Sequence, residues 1–425
     1  MKVMRARKLK RAGRADPGGD PSEFRLTYVI GTYPRLTTTF IDREIRVLRG
    51  LGIPLQVISI RRPNGLLSGE QKILQSDVYY VLPASTRAVL WSHLSFMISR
   101  PLTYVGTFMH LVSRPHPASA TRRRTILHFG LGVHIARMLR DRYPTDHIHA
   151  HFVDRATLVA LVAARLLSIP FSATAHGTDI YVDPVLLPEK MAEAKFIAAI
   201  SRYGESHLRA TVPDGSRPSL RCIYNGIEVH RYRPQERPRR EPRLLLAVGQ
   251  LKETKGLRYL LEACAHLRDR GSEFDCDIVG EGPLRRGLEE MIDHLDLRDR
   301  VSLLGSLPHE VVMERYAQAS IFVLPCVTGS DGARDGIPTV VLEAMAMGLP
   351  VVSTDLSGIP EAVLHGTTGL LVEPKDPDAL ADALGKLLDD EELCGRMGLE
   401  GRHRVVETFD SEINVRKLLQ EFMRL

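Results

Sequence analysis

Short β-branched runs alternate with helical patterns along both halves of this chain, and that alternation admits few folds. Consecutive strands joined through a helix must pair in parallel, because the crossover returns the chain to the same end of the sheet. In the first half the predicted strands are Arg25–Ile30, Leu55–Ile60, His147–His151 and Phe171–Ala175. In the second they are Leu244–Gly249, Cys276–Gly280, Val301–Leu304, Ile321–Pro325 and Pro350–Thr354. Arg231–Pro242, rich in proline and charge, is the expected linker, and 425 residues suit two domains of similar size. Both domains are expected to be α/β, each a doubly wound parallel sheet. Ligands of such sheets bind at the carboxyl ends of the strands, so two facing domains imply a cleft between them.

The segment D-G-I-P-T-V-V-L-E, Asp335 to Glu343, sets two carboxylates eight positions apart around a turn that opens an apolar helix. Gly336 and Pro338 mark the loop, with the proline near the first helical turn, where its missing N–H costs little. Thr339 and Val340 then offer free backbone N–H groups at the positive end of the helix dipole, a ready site for phosphate. A diphosphate with a sugar on each side fits this arrangement. Asp335 would face one sugar's hydroxyls and Glu343 the other's, since carboxylates offer several lone pairs and no competing donor.

These residues resemble the E-x7-E motif of retaining glycosyltransferases of family 4, with Asp335 in place of the usual first Glu. The resemblance continues through Ala344–Thr354 (A-M-A-M-G-L-P-V-V-S-T), Gly358–Glu361 (G-I-P-E) and Gly366–Val372 (G-T-T-G-L-L-V). Tyr33–Ile45 (Y-P-R-L-T-T-T-F-I-D-R-E-I) is similar to the pattern of exopolysaccharide and colanic-acid type transferases in that family. The resemblance implies the GT-B fold: two Rossmann-like domains facing a central cleft. The domains are expected as a basic N-terminal segment at 1–20, an acceptor-side domain at 21–235, a nucleotide-sugar domain at 236–405 and a returning C-terminal helix at 406–425. It further implies a metal-independent hexosyl transfer with retention, from a nucleotide diphosphate sugar to a surface polysaccharide or lipid-linked glycan, with no separate cofactor.

Site residues carry over one by one. Ala247–Gly256 resembles the family's phosphate-binding segment, which implies Lys255 as the diphosphate contact near Gly249. The usual Arg is Gln250 here; Gln supplies no charge, so Lys252 is the candidate to compensate. Gly280 and Gly282 of G-E-G-P border the implied nucleotide pocket, and Leu307 lies beside the base. Gly336, Ile337, Pro338, Thr339, Val340 and Glu343 complete the donor side, with Glu343 on the ribose. His176, in T-A-H-G-T-D, resembles the family histidine at the reaction centre, and with Asp335 it would orient the donor sugar. Thr37, Thr38, Thr39 and Asp179 are expected on the acceptor side; for the threonines, plain helix capping is the alternative. Glu44 could face acceptor or solvent.

Other patterns are weaker. His147, His149 and His151 share one strand face in the manner of a zinc site, but no further ligand has suitable spacing, and no metal is expected. Asp275-Cys276-Asp277 leads into a strand, so its carboxylates would point away from the cleft. The five cysteines are odd in number and contain no C-x-x-C, which argues against a metal cluster or disulfide framework and for a reducing cytoplasm. No apolar h-region follows the seven Lys and Arg of the first fourteen residues.

Charge is divided unevenly. Residues 1–240 hold 37 Lys and Arg against 18 Asp and Glu, a balance of +19 in a chain whose total is +6. An anionic partner for the first half follows, either a membrane surface or nucleic acid. Residues 83–113 are the most apolar stretch, broken at Arg100-Pro101 and flanked by arginines, which suits peripheral association with the cytoplasmic membrane better than a span. Nucleic-acid binding, lacking any aromatic interleaving, is the weaker reading. A nucleotide-sugar epimerase or hydrolase of the same fold is the enzymatic alternative.

Overall fold

The computed structural model describes residues 21–424 apart from 66, 117, 183, 213–218 and 235–241. The basic segment 1–20 and most of the expected linker therefore lie outside the described residues.

The first domain carries seven parallel strands: β1 (Leu26–Thr32), β2 (Leu55–Arg61), β3 (Val78–Tyr80), β4 (His147–His151), β5 (Phe171–Ala175), β6 (Phe196–Ala199) and β7 (Ser219–Cys222). They are ordered β3-β2-β1-β4-β5-β6-β7, so the order reverses between β1 and β4 and opens a crevice at their carboxyl ends. The second domain has six: β8 (Arg243–Val248), β9 (Phe274–Val279), β10 (Val301–Gly305), β11 (Ile321–Leu324), β12 (Val351–Thr354) and β13 (Gly369–Val372), ordered β10-β9-β8-β11-β12-β13. Its reversal lies between β8 and β11. The two-domain parallel architecture and all nine predicted strands are present, within two residues at each end. Four short strands, β3, β6, β7 and β13, were not predicted. The Asp275-Cys276-Asp277 triplet sits early in β9, where Asp277 pairs with Arg315 at 3.3 Å.

Burial explains the strand composition. Strands covered by helices on both faces can be apolar at every position, and β4, β5, β6 and β11 are buried throughout. The helix Arg155–Leu167 fills the layer over the first sheet with ten buried residues, mostly Ala, Val and Leu. It packs so tightly on the helix Ser119–Asp141 that a Cβ at Gly132 would meet the Val162 side chain at 2.6 Å.

The last helix, Ser411–Met423, lies on the first domain, against the helix Thr39–Gly50. Val415, Leu418 and Phe422 enter that domain's core. The chain thus passes between domains twice, and the passages touch: Ile227 N–H donates to Phe409 O and Ser411 N–H to Ile227 O. A Cβ at Gly226 would come within 2.4 Å of Ser411 Cα, so only glycine allows this approach.

Candidate active site

Between the domains lies a cleft of about 1070 Å³, roomy enough for a nucleotide sugar together with the end of an acceptor. Its second-domain wall is built from two strand ends. After β8, Gly249, Gln250 and Lys252 turn toward the helix Leu257–Asp269, and Lys255 reaches back into the cleft. The Lys255 stem packs over Gly249, where a Cβ would make an ordinary contact 3.4 Å from Cε. After β11, the loop carrying Asp335 to Pro338 enters the helix Thr339–Ala346. No side chain caps this helix, so its first N–H groups face the cleft at the positive end of the dipole.

Lys255 and Asp335 form an ion pair, Nζ to Oδ2 3.1 Å. Burial works against the lysine's charge, but the Asp335 carboxylate outweighs it and holds the pKa above its ordinary value. Burial likewise opposes the Asp335 charge, and Lys255 and Lys252 together hold that carboxyl below its ordinary range. Both stay charged at neutral pH, leaving a fixed cation beside the helix N-terminus.

Not every expected donor residue lines the cleft. Gly280 and Gly282 lie behind the Gly249 turn: a Cβ at Gly280 would fall 1.8 Å from Gly249 O, and one at Gly282 2.4 Å from Leu251 O. Their role here is to let two loops pack. Leu307 packs on the second domain's core. Glu343 is buried, and Arg43 of the first domain takes its Oε1 at 3.0 Å while the Tyr316 hydroxyl lies 3.3 Å from Oε2. The carboxylate expected on a ribose is thus engaged across the domain interface.

On the first-domain wall, His176 follows β5 and touches both Phe40 and Phe152, ring centroids 4.6 and 4.5 Å away, while those two rings also meet each other edge-on at 6.2 Å. Phe152 adopts φ +69°, a strained value for a bulky residue, which turns its ring onto the histidine. His176 Nε2 lies 3.2 Å from His151 Nδ1, and Nδ1 lies 3.4 Å from the Asn225 amide nitrogen. His151 Nε2 lies 3.3 Å from Glu44, which also accepts the Tyr28 hydroxyl. His151 Nε2 makes no hydrogen bond with a described residue, so Glu44 is a close neighbour of the ring, while Nδ1 joins it to His176. Burial, with His151 beside it, pushes the His176 pKa well below the ordinary value and keeps the ring neutral.

Asp179, expected to face the acceptor, lies beneath this wall instead. Its Oδ1 accepts the His176 N–H at 2.9 Å and its Oδ2 the Val153 N–H at 2.6 Å, which pins the two loops after β4 and β5 together. Burial raises its pKa to about 6. Thr37 and Thr38 line the cleft, and Thr38 exchanges hydrogen bonds with the Arg35 backbone, the capping alternative. Thr39 opens the following helix and does not line the cleft.

The three alternating histidines are fully buried. His147 Nε2 and His149 Nδ1 both meet Ser172 Oγ at 2.7 Å, and His149 Nε2 meets Thr174 Oγ1 at 2.9 Å. Glu44, His149 and His151 place ligand-type atoms within 4.8 Å of one another, a grouping that sequence spacing missed because Glu44 comes from another element. Both nitrogens of His149 already serve hydroxyls, so the arrangement as it stands is a hydrogen-bonded network.

Arg43, Phe40 and Asn225 were not singled out as parts of the site, and Glu44, expected to face acceptor or solvent, instead turns toward His151 and Tyr28. Their one signal was position: Phe40, Arg43 and Glu44 fall in the Tyr33–Ile45 segment and Asn225 in Y-N-G-I-E. Glu361 of G-I-P-E accepts the Arg202 and Tyr203 N–H groups at 2.8 and 2.9 Å, so this carboxylate ties the domains together.

Two facing parallel-sheet domains with such a cleft define the GT-B glycosyltransferase fold. Sucrose-phosphate synthase from Thermosynechococcus elongatus superimposes with a TM-score of 0.70 over 94% of this chain and 98% of its own, at 20% identity. HepE of Anabaena, solved with UDP, gives 0.69 over 95% and 100%, at 16% identity. The family model for glycosyl transferases group 1 matches residues 228–404, the whole second-domain wall included. Amylovoran biosynthesis glycosyltransferase AmsK of Erwinia amylovora is 35% identical over 94% of this chain and 100% of its own length. The colanic acid biosynthesis glycosyltransferase WcaL of Escherichia coli, a putative assignment, is 38% identical over 45% of this chain and 48% of its own. The chain belongs to the group 1 glycosyltransferases.

Proposed function

We propose that the protein transfers a hexose with retention from a nucleotide diphosphate sugar to a lipid-linked glycan during exopolysaccharide assembly. The observation that carries this reading is the meeting of the Lys255–Asp335 pair, the Thr339 helix terminus and His176 in one cleft. The donor diphosphate would lie on Lys255 and the Thr339 and Val340 amides. These fixed charges strengthen their hold as the sugar–phosphate bond breaks and charge grows on the leaving oxygen, the contribution that usually dominates such catalysis. The leaving diphosphate would accept the proton of the attacking hydroxyl on the same ring face. Asp335 and the His176 wall orient the donor sugar, and Glu343 would reach the ribose on release from Arg43. Because the lysine and the helix end answer the diphosphate charge, activity is expected to survive a chelator. The names of AmsK and WcaL support the polysaccharide reading.

The acceptor is expected at a membrane surface. No helix among the described residues is long and apolar enough to cross a membrane. The helices Thr86–Ser99 and Pro101–Val112 nevertheless expose Trp91 (56%), Ile98 (72%) and Leu102 (88%), an unusual apolar face on a basic domain. Flotation with anionic liposomes at low salt, lost at high salt, is the expected result.

A thermal-shift screen of nucleotide sugars, followed by transfer to an added acceptor and NMR of the product anomer, tests the reaction. Inverted product overturns the retaining mechanism. Free sugar or an epimer in place of transfer favours the alternative enzyme class.

A further inference from the structure

The opposite wall of the cleft carries charge that the donor chemistry does not use. Arg35 follows β1, Arg61 ends β2, Arg155 opens the helix after β4, and Arg124 projects from the helix Ser119–Asp141; all four line the cleft. Three come from the carboxyl ends of neighbouring strands, where parallel sheets bind ligands. Most arginines elsewhere in the first domain are matched to carboxylates, as Arg25 is to Asp146, Arg46 to Glu70 and Glu228, and Arg165 to Glu193. Arg35, Arg61 and Arg124 make no ion pair with any described residue. Charge from Arg61 and Arg155 meets at His128, which also lines this wall: burial lowers its pKa most, the Arg124 backbone carbonyl raises it, and Arg155, Arg61 and Lys190 lower it further. Asp154 is the acidic group on this wall, and its Oδ1 is engaged in capping the following helix through the Ala156 N–H at 2.8 Å.

One turn along the same helix from Arg124, Leu127 lines the cleft too and is 58% exposed. Ile126 beside it is exposed, as are Val105 and Met109 on the helix Pro101–Val112. Cations that want an anion therefore adjoin an apolar face that wants a hydrocarbon. A free sugar phosphate would use only the first; a phosphorylated lipid uses both.

We propose that Arg35, Arg61, Arg124 and Arg155 form an acceptor-side anion subsite for the phosphate or diphosphate that joins a lipid carrier to its sugar, with Leu127 on the path of the lipid tail. The proposal rests on the transferase reading and names its acceptor class. Planar guanidinium groups suit phosphate oxygens because each offers paired donors in a fixed fork. The cleft would thus bind two phosphorylated ends, donor on the second domain and acceptor on the first, with the sugars between.

The test measures binding of farnesyl diphosphate, farnesol and inorganic pyrophosphate to the full chain, with and without saturating UDP or GDP. Farnesyl diphosphate is expected to bind most tightly, and to bind equally well when the nucleotide fills the donor site. The doubly substituted Arg61→Ala, Arg124→Ala protein should bind it at least about tenfold more weakly, the scale of one charge-assisted phosphate contact. Both side chains are exposed, so circular dichroism should be unchanged, and nucleotide binding should be retained. Unaltered farnesyl diphosphate affinity in that variant, or competition with the nucleotide, overturns the subsite. Pyrophosphate binding as tightly as farnesyl diphosphate overturns the lipid assignment. Failure of both nucleotides to bind would instead overturn the transferase reading, while the arginine variant still reports on the anion site.

Discussion

The groups proposed to handle the donor are held on opposite electrostatic terms on the two walls of the cleft. On the second domain the chemistry rests on fixed charge: Lys255 against Asp335, beside an uncapped helix terminus. On the first domain a neutral His176 is placed by contact with His151, Phe40 and Phe152, with Asp179 pinning the backbone. A charge group tolerates small displacements because Coulomb attraction falls slowly with distance, whereas a hydrogen-bonded ring must be placed by geometry. The Lys255–Asp335 site is accordingly local in sequence, and the surroundings of His176 are assembled from five separate segments.

Arg43 and Glu343 join the walls, so their separation is the most severe way to break the contrast. Arg43→Met strands a buried carboxylate and should cost about 3–5 kcal/mol of stability in denaturant titration. If Glu343 also serves the ribose, bound nucleoside diphosphate should restore part of that loss; Glu343→Gln should lose both stability and nucleotide affinity.

Lys255→Ala removes the charged wall's cation. Turnover should fall about 10²–10³-fold with a smaller loss of nucleoside affinity, because the lysine's contribution grows with the leaving-group charge. Equal losses of nucleoside mono- and diphosphate binding would remove Lys255 from the distal phosphate.

Acid separates the domains. Burial lowers the His147 pKa to about 3 and those of His149 and His176 well below 6.5. Below pH 6.5 the unfolded chain binds protons that the folded chain refuses. First-domain stability should therefore fall as pH drops from 6.5 toward 3, by up to about 1.4 kcal/mol per pH unit for each histidine. Asp179, raised to about 6 from 3.8, works the other way in that window, as do Asp42 and Asp154, but burial also lowers His93, His110, His128 and His134 of the same domain. Hydrogen exchange should show the first domain opening before the second; simultaneous opening would erase the predicted difference.

Gln250→Arg adds a second cation to the charged wall and should tighten donor binding by tenfold or less. No change would mean that Lys252 already fills that place.

The sequence reveals these walls unequally, for a physical reason. Asp335 to Val340 is one turn and one helix start, so its geometry follows from local rules, and the β8 turn carrying Lys255 is equally compact. Arg43 lies 300 positions from Glu343, and no periodicity links them. Glu44 reaches His151 only because β4 runs beside β1, below the helix Thr39–Gly50. The unpredicted strands β3, β6, β7 and β13 are three or four residues long, too short to show a period, and all four lie at or next to a sheet edge.

The contact between Ile227 and Phe409–Ser411 gives the molecule something like a door's pin. Both chain passages between the domains are fastened to each other at that one place, and a swing about it would have to part Arg43 from Glu343 and Glu361 from the Arg202 and Tyr203 amides. The C-terminal helix is the leaf screwed to the first-domain frame. Deleting residues 411–424 would remove one fastening, and the domains would then turn about a single covalent thread.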